Sequence, residues 1–233
     1  MIKIKNQADS AEMYIYGDIV DDQFGEMMKH WDQAQGLQWP TEIKEQLDQI
    51  KGKKLTIYIN SDGGSVPAGV AIANMIKRHD APTVAIVDGW CCSIATQIFF
   101  SATDRKMPKN AYLMIHKPSC IMVGTAEDMR RTADTLDVLQ EGLEAVYREV
   151  AKESATKDKI HAMLEEETWL TGEQAAEFFN IELLDNVQAV AQFGSAKNSM
   201  KNIPHQIMFS KPQSTAKEKV QIALALVKGE ILE

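Results

Sequence analysis

Thr83-Val84-Ala85-Ile86-Val87-Asp88-Gly89-Trp90-Cys91-Cys92-Ser93-Ile94-Ala95 is the stretch on which the fold turns. Its first five residues are apolar or β-branched and follow Pro82, the composition of a buried strand. Gly89 is expected to break that strand. Residues 93–101 then read as a helix with Ile94, Ile98 and Phe99 on one side. Ser93 falls at a strand-to-helix corner, lifted out of the sheet and close to amides that have no acceptor within the helix. Such a corner suits a nucleophile; it suits equally a serine that only caps the helix.

Two further stretches bear on that choice. Leu55-Thr56-Ile57-Tyr58-Ile59-Asn60 alternates as a strand does and runs into Ser61-Asp62-Gly63-Gly64-Ser65-Val66, where paired glycines let the backbone bend and a ligand approach its amides. Ala111-Tyr112-Leu113-Met114-Ile115 is an apolar strand that ends in His116, with Pro118 two residues on. An imidazole with an ordinary pKa of ~6.5 is largely neutral at pH 7 and suits general-base work. All three segments, after Asn60, Asp88 and Ile115, lie at carboxyl ends of strands. In a parallel sheet with right-handed crossovers, that is where reactive groups gather.

Ile59-Asn60-Ser61-Asp62-Gly63-Gly64-Ser65-Val66, Gly89-Trp90-Cys91-Cys92-Ser93-Ile94-Ala95 and Met114-Ile115-His116-Lys117-Pro118, in this order, resemble the ClpP-type serine peptidases of the Clp/crotonase superfamily. Val123-Gly124-Thr125-Ala126-Glu127-Asp128, Thr168-Trp169-Leu170-Thr171, Ala175 and Asp185 extend the likeness, which covers roughly residues 12 to 190. The resemblance implies an α/β fold of repeated strand-helix units with a mainly parallel sheet and a long handle helix. It implies Ser93 as nucleophile, His116 as base, Gly64 and Ile94 as oxyanion-hole amides, and Gly63, Ser65 and Val66 as substrate-binding residues. The family usually carries an aspartate where Glu167 precedes Thr168-Trp169-Leu170-Thr171. Glu167 is the expected third member, since an ionised carboxylate in reach of the imidazole N–H meets that need, with Glu165 and Glu166 beside it as alternatives.

The same resemblance implies a homo-oligomer, heptameric rings stacked in pairs, acting on polypeptides in a bacterial cytoplasm without metal or organic cofactor. Divergent single-chain members are often phage or prophage head-maturation proteases, so capsid proteins are candidate partners in a phage prohead. Clp peptidases meet an unfolding ATPase through an N-terminal arm. Here only about eleven residues, just over half of them polar, precede the first strand, so docking to an ATPase is not expected. The rival readings are a crotonase-type acyl-CoA lyase or hydratase, a signal-peptide-peptidase-like enzyme pairing serine with lysine, and a catalytically inactive scaffold protein of a phage head.

Composition narrows the classes. With 233 residues and 45% apolar content the chain can bury a core, and its net charge of −8 argues against nucleic acid. No stretch approaches the roughly twenty apolar residues of a membrane span, and the first residues lack the apolar run of a signal peptide. Cys91, Cys92 and Cys120 are odd in number and without metal-site spacing, which points to a reducing compartment and no zinc. Cys92, next to Ser93, is a rival nucleophile, although only one of the two neighbours can face His116.

Around these motifs the remaining elements follow from punctuation. Residues 12–20 start as a strand and turn at Gly17; helices follow around 23–33 and from Pro40, with Gly52 past the end of the second. This segment is longer than in the family and holds Trp31 and Trp39. Residues 67–78 form a helix behind the glycine pair. Thr125-Ala126-Glu127-Asp128 opens a long helix with Met129, Ala133, Leu136, Leu139, Leu143, Val146 and Val150 in one narrow stripe, which wants a partner helix or its own domain. A short helix over 156–164, a second capping box at Thr171, a left-handed cap at Asn180 and an edge strand over 181–187 complete the domain, residues 1–191. Residues 192–216 read as a linker and 217–233 as an amphipathic helix with Val220, Leu224, Val227 and Ile231 aligned.

Overall fold

The computed structural model describes residues 5–185, all within one compact unit. The expected linker and C-terminal helix lie outside the described residues. The elements are β1 (Lys5–Asn6), β2 (Ser10–Ile19), α1 (Asp22–His30), β3 (Leu37–Gln38), α2 (Pro40–Asp48), β4 (Lys54–Gly64), α3 (Val66–Lys77) and β5 (Thr83–Cys92). After these come α4 (Ala95–Ser101), β6 (Asp104–Pro108), β7 (Tyr112–Ile115), α5 (Ala126–Glu149), α6 (Lys157–Glu165), β8 (Thr168–Thr171), α7 (Gly172–Phe178) and β9 (Glu182–Leu184).

The strands form one sheet in the order β1-β2-β4-β5-β6-β9, with β3 beside β2, β7 beside β5 and β8 beside β7. Every pairing is parallel except β1 with β2 and β7 with β8. Met13, Ile15, Leu55, Ile57, Ile59, Ala85 and Val87 are buried in a core shared with Ile72, Ile76, Ile98 and Phe99 of the helices. The strand-helix-strand reading of the sequence and its mainly parallel sheet are thus what the chain adopts.

β5 departs from expectation. Gly89 does not end the strand, which continues to Cys92. Ile59 of β4 pairs with Val87 and Ser61 with Cys91, so two steps on β4 are matched by four on β5. The extra residues form a bulge, stabilised where the buried Asn60 Oδ1 accepts from the Trp90 N–H at 3.0 Å. Below the bulge β5 pairs with β6, and above it with β7. This change of partner swings the end of β5 toward the strand that carries His116. Likewise, β2 does not stop at Gly17 but passes through it to Ile19 on a second irregularity, with Gly17 at φ +94°.

The two expected capping boxes form, and a third helix start is capped as well. Thr125 and Thr171 form full capping boxes with Asp128 and Gln174, and the Thr156 hydroxyl accepts from the Lys159 N–H. Asn180 does not form a left-handed cap. The helix already ends at Phe178, and Phe179 turns extended so that its ring enters the core, fully buried. The charged strand β6 and the two-residue β3 were not anticipated, because neither shows apolar alternation.

Candidate active site

Ser93 directly follows β5 and its N–H donates to the Met114 carbonyl of β7 at 2.9 Å. The residue is in the left-handed region, φ +54°, so it is neither strand nor first helical residue. Helix α4 starts two residues later than expected, at Ala95, and the Ser93 side chain caps nothing. The Ser93 carbonyl is held instead, by the Thr96 N–H at 3.0 Å and the Thr96 hydroxyl at 2.6 Å. Thr96 is itself buried and bonded to the Tyr147 hydroxyl of α5 at 2.6 Å. A strained serine clamped on both sides is what a strand-to-helix nucleophile corner requires.

The Oγ of Ser93 lies 2.7 Å from Nε2 of His116. His116 follows the last residue of β7, and the Ser93–Met114 bond fixes the spacing between the two segments. Burial lowers the His116 pKa below its ordinary value, and the nearby charge of Glu167 raises it in part. The imidazole is therefore kept neutral, able to accept a proton.

The antiparallel ladder brings Glu167 near enough to His116 for its charge to act on the imidazole. Ile115 of β7 pairs with Thr168 of β8, so the next rung beyond each strand sets His116 opposite Glu167. Glu167 is almost fully buried and also left-handed, φ +51°. Its two neighbours go elsewhere. Glu165 is exposed and pairs with Lys117 at 2.7 Å, which holds its carboxyl below the usual range, and Glu166 is exposed at the end of α6.

The glycine pair completes the cluster. A Cβ placed on Gly63 would stand 2.7 Å from Ser93 Cβ and 3.2 Å from the Ile94 nitrogen, so this loop lies directly against the corner. Gly63 and Gly64 have φ +97° and +142°, and a side chain at Gly64 would strike the Ile19 carbonyl oxygen. The loop is braced by Ser61, whose hydroxyl donates to the Gly17 carbonyl at 2.6 Å and accepts from the Gly63 N–H at 3.1 Å. Gly64 is exposed, and Ile94 precedes the first turn of α4, where amides have no intrahelical acceptor. Ser65 and Val66, half-buried, continue the same edge into α3.

Cys91 and Cys92 are fully buried, and burial pushes both thiols far up, so neither is a thiolate beside the serine. The sequence reading missed three supports: Asn60 at the bulge, Ser61 under the glycine loop and Thr96 under the serine. The first two are polar residues at the buried end of an apolar strand, a signal that was present. Among the described residues no group of histidine, cysteine and acidic side chains could hold a metal ion.

Comparison with known proteins adds three findings. The family described as Clp protease matches residues 40–189. The chain is 32% identical over 136 residues to the ATP-dependent Clp protease proteolytic subunit of Bacteroides fragilis, covering 57% of this chain and 64% of that protein. It is 33% identical over 137 residues to the protein of that description from Streptococcus pneumoniae, covering 56% and 67%. The chain thus spans just under two thirds of the length of the Bacteroides relative. A solved ClpP1 variant from Listeria monocytogenes shares the fold, with a TM-score of 0.59 at 23% identity over 75% of this chain and 91% of the other.

Proposed function

Because this chain belongs to the Clp protease family, we propose that it is a serine endopeptidase whose triad is Ser93, His116 and Glu167. Ser93 Oγ attacks a peptide carbonyl while His116 Nε2 takes its proton. The oxyanion that forms accepts from the Gly64 and Ile94 N–H groups, each donor contributing about 3 kcal/mol to the transition state. His116 then gives the proton to the leaving amine, and the acyl group stays on Ser93 Oγ. Water attacks that ester as His116 takes a proton again, which releases the acid and restores the serine. Glu167, opposite the imidazole, keeps its tautomer and stabilises the imidazolium. The backbone of Gly63, Ser65 and Val66 offers the edge on which an extended substrate lies. No step draws on a metal or organic group.

The observation that carries this reading is the 2.7 Å contact between Ser93 Oγ and His116 Nε2. The wider reading is a homo-oligomer that encloses these sites and admits unfolded polypeptide. It is supported by apolar side chains left in the open: Ile121 at 99% and Val123 at 90% exposure, with Met129 and Val138 on α5 at 51% and 69%. Stacked heptameric rings, a bacterial cytoplasm and a role in phage head maturation belong to the same proposal. Among the described residues no helix is long and apolar enough to cross a membrane. Replacing Ser93 by Ala tests the assignment: cleavage of an unfolded protein substrate falls to background while the sedimentation profile stays unchanged, and wild-type cleavage by the variant refutes it.

A further inference from the structure

The Ser93 carbonyl belongs to the same peptide group as the Ile94 N–H, the proposed oxyanion donor. A trans peptide is planar and carries its C=O and N–H in opposite directions, so whatever fixes the carbonyl also aims the amide. Thr96 fixes it twice, through its N–H at 3.0 Å and its hydroxyl at 2.6 Å. A threonine hydroxyl has one proton to give. Because that proton goes to the Ser93 carbonyl, the Thr96 oxygen can only accept in its 2.6 Å contact with the Tyr147 hydroxyl, and Tyr147 is the donor. The order is therefore Tyr147 O–H to Thr96 O–H to Ser93 C=O.

Both hydroxyls sit in the core. Thr96 is fully buried and Tyr147, on α5, is 2% exposed. The Tyr147 ring packs edge-on against Phe100 with centroids 5.9 Å apart, and its centroid lies 6.2 Å from that of Phe179. Burial pushes its phenol up to about 12, so the donor proton stays in place at neutral pH. At the other end of the peptide, the Ile94 side chain is seated directly on α3, where a Cβ on Gly69 would come within 2.3 Å of Ile94 Cγ1. Hydrogen bonds in a chain polarise one another, and drawing electron density onto the carbonyl oxygen leaves the N–H of the same peptide a stronger donor.

We infer that Thr96 and Tyr147 are positioning residues for the oxyanion hole: their hydroxyl relay holds the Ser93–Ile94 peptide plane and strengthens the Ile94 N–H toward the tetrahedral intermediate. The inference rests on the peptidase reading and extends it to two buried residues behind the nucleophile. Packing alone would be served as well by valine and phenylalanine, which keep the shapes of threonine and tyrosine without the cost of desolvating two hydroxyls.

The test uses the full chain, with peptide cleavage kinetics, thermal melting, and inhibition by a peptide aldehyde, which forms a tetrahedral hemiacetal on an activated serine. Tyr147→Phe removes one oxygen atom and keeps the ring; it should lower kcat about threefold to tenfold, and Thr96→Val about tenfold to a hundredfold, against roughly 10²–10³-fold for outright loss of an oxyanion donor. KM and the pH midpoint set by His116 should stay at their wild-type values, while aldehyde affinity falls in step with kcat. Thr96→Ser, which keeps the hydroxyl, should recover most of what Thr96→Val loses. The double variant should be no slower than Thr96→Val alone, because Tyr147 acts only through Thr96. Where Thr96→Val does not fold, Tyr147→Phe carries the test. Wild-type kcat in Tyr147→Phe, or losses confined to KM or to the melting temperature, overturn the relay alone. A wild-type protein that cleaves no peptide and is not labelled by a fluorophosphonate overturns the relay and the peptidase reading together.

Discussion

Ser93, His116 and Glu167 each depend on a different physical constraint, and the histidine yields the sharpest prediction. In the proposed mechanism the reactive form of His116 is neutral, and burial keeps its pKa below the ordinary value while the Glu167 charge works against that effect. Activity should therefore rise with pH along a limb centred on the acid side of ~6.5 and then level off. Glu167→Gln removes the charge that raises the pKa, so the midpoint should move further into acid. The plateau of kcat/KM should drop on the order of 10³–10⁴-fold as the tautomer is lost. Steady-state kinetics across the acid and neutral range would show both, and a midpoint that climbs in the variant would contradict the assignment. At this scale, residue type at strand ends made Ser93, His116 and the glycine pair legible in the sequence. The left-handed backbone of Ser93 and Glu167 was not, since only glycine, asparagine and aspartate commonly advertise it. The choice among Glu165, Glu166 and Glu167 was open for a related reason. It turns on where α6 ends and β8 begins, and that register is set by pairing with β7.

Among the elements, α5 best separates pattern from packing. Its apolar stripe is continuous in sequence, yet only the C-terminal end is buried, through Leu143 and Tyr147, while Met129 and Val138 stand exposed. Periodicity alone could not say whether the helix lay on its own domain or reached beyond it. Met129→Glu with Val138→Glu, both at exposed positions, should leave the melting temperature of the protomer within a degree or two, since surface changes of this kind cost about 0.5 kcal/mol or less. The same pair should convert the assembly to smaller species in analytical ultracentrifugation and lower peptidase activity with it. Unchanged sedimentation would deny α5 a role in association. The bulge in β5 marks the opposite limit of sequence reading. Gly89 is an ordinary strand breaker by composition, but the Asn60 bond and the new partner β7 carry the strand through it. β6 escaped notice because its residues are charged, although Met107 is fully buried.

For the molecule as a whole, the mainly parallel sheet gathers three distant segments at one rim, and the antiparallel pairing of β7 with β8 brings Glu167, the proposed acid, from a fourth. This topology was largely legible, because strands and helices alternate with clear apolar periods from β2 to β5. Of the closing pieces, the edge strand β9 was legible within residues 181–187, but β8 was not, since it is short and takes its place only from its partner β7. The convergence has a direct chemical signature. A fluorophosphonate phosphonylates only an activated hydroxyl, and digestion followed by mass spectrometry locates the adduct. In the wild-type protein the adduct should be on Ser93, strongly reduced in His116→Ala and missing in Ser93→Ala. An adduct on Cys92 or any other residue, or equal labelling of the Ser93→Ala variant, would contradict the placement of the reaction at this rim.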